Sequence, residues 1–393
     1  MKVNDTYEVR IIDNDINGNG IARINNFVLF IPFCLKGEEV LIKVVDIKKS
    51  YAFCELVSVI KPSLDRCDSV CAFYESCGGC NFLHTNYDYE NFIKKSNLER
   101  MFNYNIEYYS AEDDLFYRNK ATFHVKDGKL CYYNASSHKP CFINECKIAN
   151  EKINYFVNYL SGFNLTGIFE VMFRVISGKV MVNFICNESY DIKSIINEDF
   201  DCVYVNNEHF FGDEYLIDKV GRFKFSVYPN SFYQVNPEGM KAIYNIAKKY
   251  AGKGDKLLDL YCGTGTIGIW LSKNFNSAVG YEINESSIKN AIINKELNNI
   301  NNIEFVLGNA SSVKGEYDVI VVDPPRSGLS KEVREFLNSS SARRIVYISC
   351  NPFTLQRDLK CINNYIISSF SAFNMFPRSG HVECVVLLEI KKE

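Results

Sequence analysis

Three groups of residues in this sequence have types and spacings that could do chemistry. The first centres on Cys350 in YISCNPFTLQRDL, where an apolar strand stops and Asn351-Pro352 turns the chain. A thiol at a strand tip can face a site mouth and attack as a thiolate, whereas a thiol inside an apolar strand is an inert core residue. An ordinary cysteine, with a pKa of about 8.5, is only a few per cent ionised at neutral pH, so a nucleophile here needs activation that the sequence does not display. The second group is CAFYESCGGC, which places Cys71, Cys77 and Cys80 as C-x5-C-x2-C with two glycines that let a loop wrap closely. Cys146 in NECKIAN is the candidate fourth thiolate, with Cys67 and Cys141 nearby as competitors. Such a set suits a [4Fe-4S] cluster or zinc, and spacing alone does not separate them. The third is DLYCGTGTIG at 259–268, a glycine turn between a strand and a helix, with Glu282 about 20 residues on at the next strand end, where an acid bonds the ribose of a nucleotide cofactor. Asn309 and Asp323 end the two strands after that, so four successive strand tips carry polar groups around one crevice. The turn also fits the G-x-G-x-x-G of dinucleotide enzymes, but Asp323-Pro324-Pro325 is an odd lining for a nicotinamide pocket.

These residues need elements to position them. From about 226 to 393 the text alternates strand and helix: KLLDLYC, a helix TIGIWLSKNF, SAVGYEI, a helix at 285–297, IEFVLGNA, YDVIVVDPP, a helix near 330–338, RRIVYISCNP, and two last strands. That rhythm predicts a doubly wound α/β sheet, with ligands beyond the carboxyl ends of its strands. Residues 1–60 read as short β-runs broken by Gly, Asn and Lys-Gly turns, which suits a small five-stranded OB-like barrel. The region 61–225 is mixed α and β: the cysteine loop, a helix near 86–102, and the hairpin FEVMFRVISGKVMVNFIC turning at Ser177-Gly178.

Bulk properties narrow the classes. The N-terminus lacks the layout of a secretion signal, and the longest apolar stretch, FVLFIPFCL, is well short of the ~20 residues that span a bilayer, so no membrane role is expected. Fifteen cysteines without a signal point to a reducing compartment, hence a cytoplasmic protein whose clustered thiols hold metal or do chemistry. A net charge of −3 gives no global attraction to nucleic acid, so such binding would rest on local clusters such as YRNK.

VVDPPRSGL together with YISCNPFTLQRDL resembles the S-adenosylmethionine-dependent RNA uracil-5-methyltransferases, and the resemblance runs along nearly the whole chain. It implies a Rossmann-like methyltransferase domain at 226–393, a central iron-sulfur domain at 61–225, and at 1–60 a TRAM barrel, a module that binds single-stranded RNA through aromatic and basic groups. By that likeness Gln234, Tyr261, Thr266, Glu282, Asn309 and Asp323 contact S-adenosylmethionine, and Cys350 and Glu383 are the catalytic nucleophile and base. Phe232 would stack on the uracil, Arg118 and Lys120 would grip phosphate, and Cys71, Cys77, Cys80 and Cys146 would hold a [4Fe-4S] cluster, with zinc as the alternative. The implied partner is RNA, 23S ribosomal RNA ahead of transfer RNA because the plainer transfer-RNA members usually lack both barrel and cysteine cluster, and the enzyme is expected to act as a monomer. The chemistry explains the residue types. C5 of uracil is a weak nucleophile; a thiolate adding to C6 makes C5 an enolate carbon that can take a methyl group, after which a base must remove the C5 proton before the cysteine leaves. The rivals are an exocyclic-amine methyltransferase, which commonly has an aromatic residue in place of Arg326, and a cytosine-5 enzyme. Of other classes, a radical S-adenosylmethionine enzyme would use C-x3-C-x2-C, and a non-catalytic RNA-binding iron-sulfur protein would not need the strand-tip set.

Overall fold

The computed structural model describes residues 1–134 and 137–391. They group into two compact units, one of residues 1–106, 132–143 and 376–381, the other of 107–131, 144–375 and 382–393.

In the first unit the alternating run EVLIKVV buries every second side chain, and its strand Glu39–Ile47 pairs with Thr6–Arg10 on one side and Tyr51–Lys61 on the other. The sheet continues through Phe27–Ile31 and Gly20–Ile24 to Asp13–Asn14, six strands in all where the sequence suggested five. The added strand is only two residues long, too short for a periodicity to announce. Asn25 and Asn26 both sit at positive φ, the two-residue turn that matches hairpin twist. Val9, Leu29, Ile31, Val40, Ile42 and Ala52 fill the interior. The cysteine loop follows, then the helix Tyr87–Phe102, capped where the Asn86 side chain accepts the Tyr89 amide and ended by Asn103 in the left-handed conformation.

In the second unit, strands Lys120–Lys126, Ile168–Ile176, Lys179–Cys186, Cys202–Val205 and Glu208–Gly212 form a sheet, with the expected tight turn at Ser177 and Gly178, both at positive φ. The helix Glu151–Leu160 buries Ile153, Phe156, Val157 and Leu160, Phe156 stacking on Phe173 and packing on Phe200.

The second sheet of this unit positions the site. Its order is Ile303–Leu307, Phe275–Glu282, Gly254–Leu260, Val319–Val322, Arg344–Ser349, Glu383–Ile390, Tyr365–Asn374 and Glu107–Ser110. The first five run parallel, and Glu383–Ile390 is antiparallel to both neighbours. Strand order reverses between Gly254–Leu260 and Val319–Val322, the switch point at which an open α/β sheet leaves a crevice. Helices Pro237–Ala251, Thr266–Ser272, Glu285–Leu297, Lys331–Ser339 and Pro352–Leu359 join the strands. The helix after the glycine turn ends at Ser272, shorter than the sequence suggested, because Phe275 already starts the next strand. Among the described residues no helix is long and apolar enough to cross a membrane.

Candidate active site

The crevice begins at the glycine turn. Tyr261 leaves its strand at φ 63°, a left-handed value for a residue with a side chain, and Gly263 and Gly265 follow at 53° and 77°. A Cβ on Gly263 would meet nothing within 4 Å, so this face of the turn is open, whereas one on Gly265 would lie 2.4 Å from the Phe305 ring. Glu282 braces the turn, one oxygen accepting the Gly263 amide at 3.1 Å and the other the Asn284 amide at 2.9 Å. A cavity of about 440 Å³ opens here, lined by Tyr261, Glu282, Ile283, Asn309, Pro325 and Ser330 among others. Three of the six residues expected to bind cofactor therefore line one pocket. Gln234, Thr266 and Asp323 are outside its lining. Thr266 turns its hydroxyl to the buried Tyr244 hydroxyl at 2.7 Å, and Gln234 is 8% exposed, its carbonyl accepting from the Asn119 side chain.

Ile283, 70% exposed, gives the pocket an apolar wall that sequence reasoning passed over, although a lone aliphatic residue after an acidic strand end was a usable signal. The far wall, Ser327–Ser330, is pinned by Asp358 of the helix Pro352–Leu359. That fully buried carboxylate accepts from the Leu329 amide, the Tyr347 hydroxyl, Arg334 and Arg357. Asp358 was also missed; in the sequence it reads as an ordinary helix-surface charge.

The second part of the site lies at the tips of three adjacent strands. Asp323 follows Val319–Val322, Cys350 follows Arg344–Ser349, and Glu383 opens the antiparallel strand beside it. Ser349 is paired with Cys384, which puts Cys350 and Glu383 at the next step of the same register. The helix after Cys350 is capped by Asn351, whose side chain accepts the Phe353 amide and donates to the Arg326 carbonyl, tying the two loops together.

Electrostatically this is an acid-rich cluster. Burial, then Glu383 and Asp323, push the Cys350 thiol up to about 11, and the Arg326 guanidinium opposes that shift. Burial and the neighbouring Asp323 hold the Glu383 carboxyl well above the carboxylate range, and burial brings Asp323 to about 7. Behind the glycine turn the fully buried Asp259 is raised to about 8 by burial and by Asp323, with the Gly268 amide opposing the shift. The arrangement offers a thiol, a strong base beside it, and a cation to favour the thiolate. Arg326 and Asp259 were not among the residues expected from sequence, though Arg326 stands in the same DPPR run as Asp323.

Phe232 is 69% exposed, which removes it from the core. Its loop is held from beneath: the buried Arg174 donates to the carbonyls of Tyr228 and Ser231, the Ser231 hydroxyl donates to Asn290, and the Tyr233 hydroxyl donates to Asp218. Lys120 pairs across strands with Arg174, and Arg118 donates to the Lys120 carbonyl. Burial first, then Arg174 and Arg118, bring the Lys120 ammonium down to about 8.

Cys71, Cys77 and Cys80 lie half-buried in the irregular loop of the first unit, where Cys141 also contacts Ser76 at 3.3 Å. Cys146 lies in the second unit, its amide and carbonyl both bonded to the Asn154 side chain. The donor types suit thiolate ligation, but among the described residues no three His, Cys, Asp or Glu side chains converge as a metal-binding group.

The reversed sheet, the glycine turn with its bracing acid and the crevice at the switch point define the Rossmann-like fold of S-adenosylmethionine-dependent methyltransferases. The tRNA (Uracil-5-)-methyltransferase model matches residues 179–316 and 312–391, and the TRAM domain model matches residues 1–57. The chain belongs to the tRNA (uracil-5-)-methyltransferase family. An "Uncharacterized RNA methyltransferase" of Clostridium acetobutylicum is 34% identical across 99% of this chain and 98% of its own, and one of Clostridium tetani is 31% identical across 99% and 97%. The crystal structure of Pyrococcus abyssi tRNA (uracil-54, C5)-methyltransferase in complex with S-adenosyl-L-homocysteine is similar with a TM-score of 0.84 at 26% identity, covering 97% of this chain and 100% of that one.

Proposed function

We propose that this protein methylates C5 of a uridine in RNA, with 23S ribosomal RNA as the preferred substrate, through a covalent adduct at Cys350. The observation that carries the reading is the meeting of Cys350, Glu383 and Asp323 at three adjacent strand tips beside a cofactor-sized crevice. Bound S-adenosylmethionine supplies an electrophilic methyl group and a positive charge. Tyr261, Glu282 and Asn309 would hold it from the cavity, whereas Gln234, Thr266 and Asp323, outside that lining, are assigned to it by the family resemblance alone. Phe232 stacks on the uracil once it has left its helix or loop. The Cys350 thiolate gives its electron pair to C6, and the C5–C6 π pair moves onto C5 and O4. C5 then takes the methyl group, the sulfonium keeping the pair of the broken bond. Glu383 removes the proton left on C5; that pair restores the double bond and expels the Cys350 thiolate. Arg118 and Lys120 meet the RNA backbone near the target.

The division into 1–60, 61–225 and 226–393 then gives a TRAM barrel, a central domain that carries the cysteines and the Arg118–Lys120 contacts, and the methyltransferase domain. Cys71, Cys77, Cys80 and Cys146 are read as ligands of a [4Fe-4S] centre on the strength of the family resemblance, since their thiolates and spacing suit zinc as well; iron and sulfide analysis of protein purified without oxygen tests this, and zinc alone would overturn it. Transfer RNA is the second reading, favoured by the family's description and by the substrate of the Pyrococcus abyssi relative.

The test supplies labelled S-adenosylmethionine with 23S ribosomal RNA and transfer RNA from a strain lacking the gene, and maps label by nucleoside mass spectrometry. Label should appear as 5-methyluridine, and label in 5-methylcytidine or an exocyclic amine would overturn the reading. Cys350→Ala should lose both methylation and capture of 5-fluorouridine RNA.

A further inference from the structure

We infer that the turn at residues 376–381 is a bracket that fixes the position of Glu383, and that Arg378 and Asn81 are its positioning residues. The inference rests on the reading of Glu383 as the base for the C5 proton, and it concerns what holds that base in place.

The segment packs within the first unit, and the chain passes from His381 through Val382 directly to Glu383. The contacts that hold residues 376–381 all lie within the first unit, and the covalent chain carries their effect onward. Arg378 has φ 66°, a left-handed conformation that a side chain disfavours. Glycine would adopt it without strain, so the arginine needs another reason to be there. Its main chain is engaged on both sides: the amide donates to the two Glu90 oxygens at 3.0 and 3.2 Å, and the carbonyl accepts the amides of Asn81 at 2.7 Å and Phe82 at 3.1 Å. Its guanidinium donates to the carbonyls of Phe82 and Thr85 and lies over the Tyr87 ring. Glu90 is fully buried and also holds the equally buried Lys94 at 2.7 Å. Gly380, three residues before Glu383, donates its amide to the Asn81 side chain at 3.0 Å. Asn81 and Phe82 are the residues immediately after Cys80, so the cysteine loop and the run-in to the base share one set of hydrogen bonds.

On its other side Glu383 is fixed by sheet register, paired with Phe373 and followed by the Cys384–Ser349 pair. A catalytic carboxylate is therefore pinned from both directions along its own backbone. Displacing such a group by about 1 Å can cost on the order of 100-fold in rate. Glu383 acts only after methyl transfer, so loosening the bracket slows the second half of the reaction and spares the first.

The test uses the full chain with S-adenosylmethionine and unmodified 23S ribosomal RNA transcript, with transfer-RNA transcript as second probe. It follows Asn81→Ala, Arg378→Gly and Glu383→Gln beside the unaltered protein. Asn81→Ala removes one side-chain acceptor from a partly exposed position, so it reports even if the arginine variant unfolds. Single-turnover methyl transfer should stay within about twofold of the unaltered chain, steady-state turnover should fall about tenfold or more, and methylated protein–RNA adduct should build up on denaturing gels. Parallel loss of both rates without adduct, or unchanged turnover in Asn81→Ala, would overturn the bracket. If adduct builds up in Glu383→Gln and not in the bracket variants, only this inference fails. If Glu383→Gln accumulates none, or neither RNA is methylated by the unaltered chain, the underlying reading fails instead.

Discussion

Cys350 can attack only after losing a proton, and in the ligand-free protein its surroundings hold that proton. Burial and two acidic neighbours bring the thiol to about 11, so its thiolate fraction keeps growing well past the ordinary cysteine range. Labelling of Cys350 by iodoacetamide, read by peptide mass spectrometry, should therefore still be rising between about pH 9 and about pH 10; a plateau by about pH 9 would mean the acids do not act on it. Arg326→Leu removes the cation that lowers the thiol and should slow labelling further at a fixed neutral pH. Asp259 makes the complementary case. Its carboxyl and that of Asp323 bind protons more tightly in the folded chain, at about 8 and about 7, than in the unfolded one. The stability these two groups contribute is then highest at low pH and falls as pH rises from the unfolded carboxylate range through those folded values. Asp259→Asn should raise the melting temperature of ligand-free protein by roughly 2 °C or more at about pH 8, and the gain should shrink toward about pH 5, where the native carboxyl is already neutral.

Elements aim these side chains, and the glycine turn is the most sensitive of them. Gly265→Ala places a methyl group at φ 77° and 2.4 Å from the Phe305 ring. The turn must shift away from the Glu282 bracing, which should cost about 1–3 kcal/mol in folding and weaken S-adenosylmethionine binding measured by calorimetry; native affinity would show that the turn yields freely. This turn, the Ser177-Gly178 hairpin and the Asn86-capped helix were legible in the sequence because each is written in a few adjacent residues. What was not legible depends on partners far away in the chain. Glu107–Ser110 is four residues of unremarkable pattern, and it becomes a strand only by lying parallel to Tyr365–Asn374. Asp358 looks like a solvated helix charge until Leu329, Tyr347, Arg334 and Arg357 are folded around it. Tyr261, Glu282 and Asn309 of the crevice were readable as strand tips, whereas in the first unit Arg378 and Asn81 gave no local sign.

At the scale of the whole molecule, a chain with 47 acidic and 44 basic residues that acts on a polyanion must concentrate its attraction in a few places. Lys120 and Arg174 are paired across adjacent strands with Arg118 bonded alongside, a like-charge arrangement that costs stability in isolation and that an RNA phosphate, as proposed above, would relieve. The salt dependence of RNA binding should report this directly. Each of Lys120→Ala and Arg118→Ala should reduce the slope of log affinity against log salt by about 0.7 to 1, since each removes one phosphate contact. Lys120 adds a pH signature that a surface lysine would not have. With its ammonium at about 8 in the free protein, it loses charge as pH passes through that value, and a bound phosphate must draw a proton back. Affinity of the unaltered chain for RNA at fixed salt should thus decline between about pH 7 and about pH 9, by filter binding or fluorescence anisotropy. The decline should be lost in both variants, with affinity low throughout in Lys120→Ala and held near its pH 7 level in Lys120→Arg, because a guanidinium does not titrate there. A native chain whose RNA affinity is flat across that range, with an unchanged salt slope in both alanine variants, would place the backbone contacts elsewhere on the surface and leave the Arg118–Lys120–Arg174 group as internal support for the Phe232 loop.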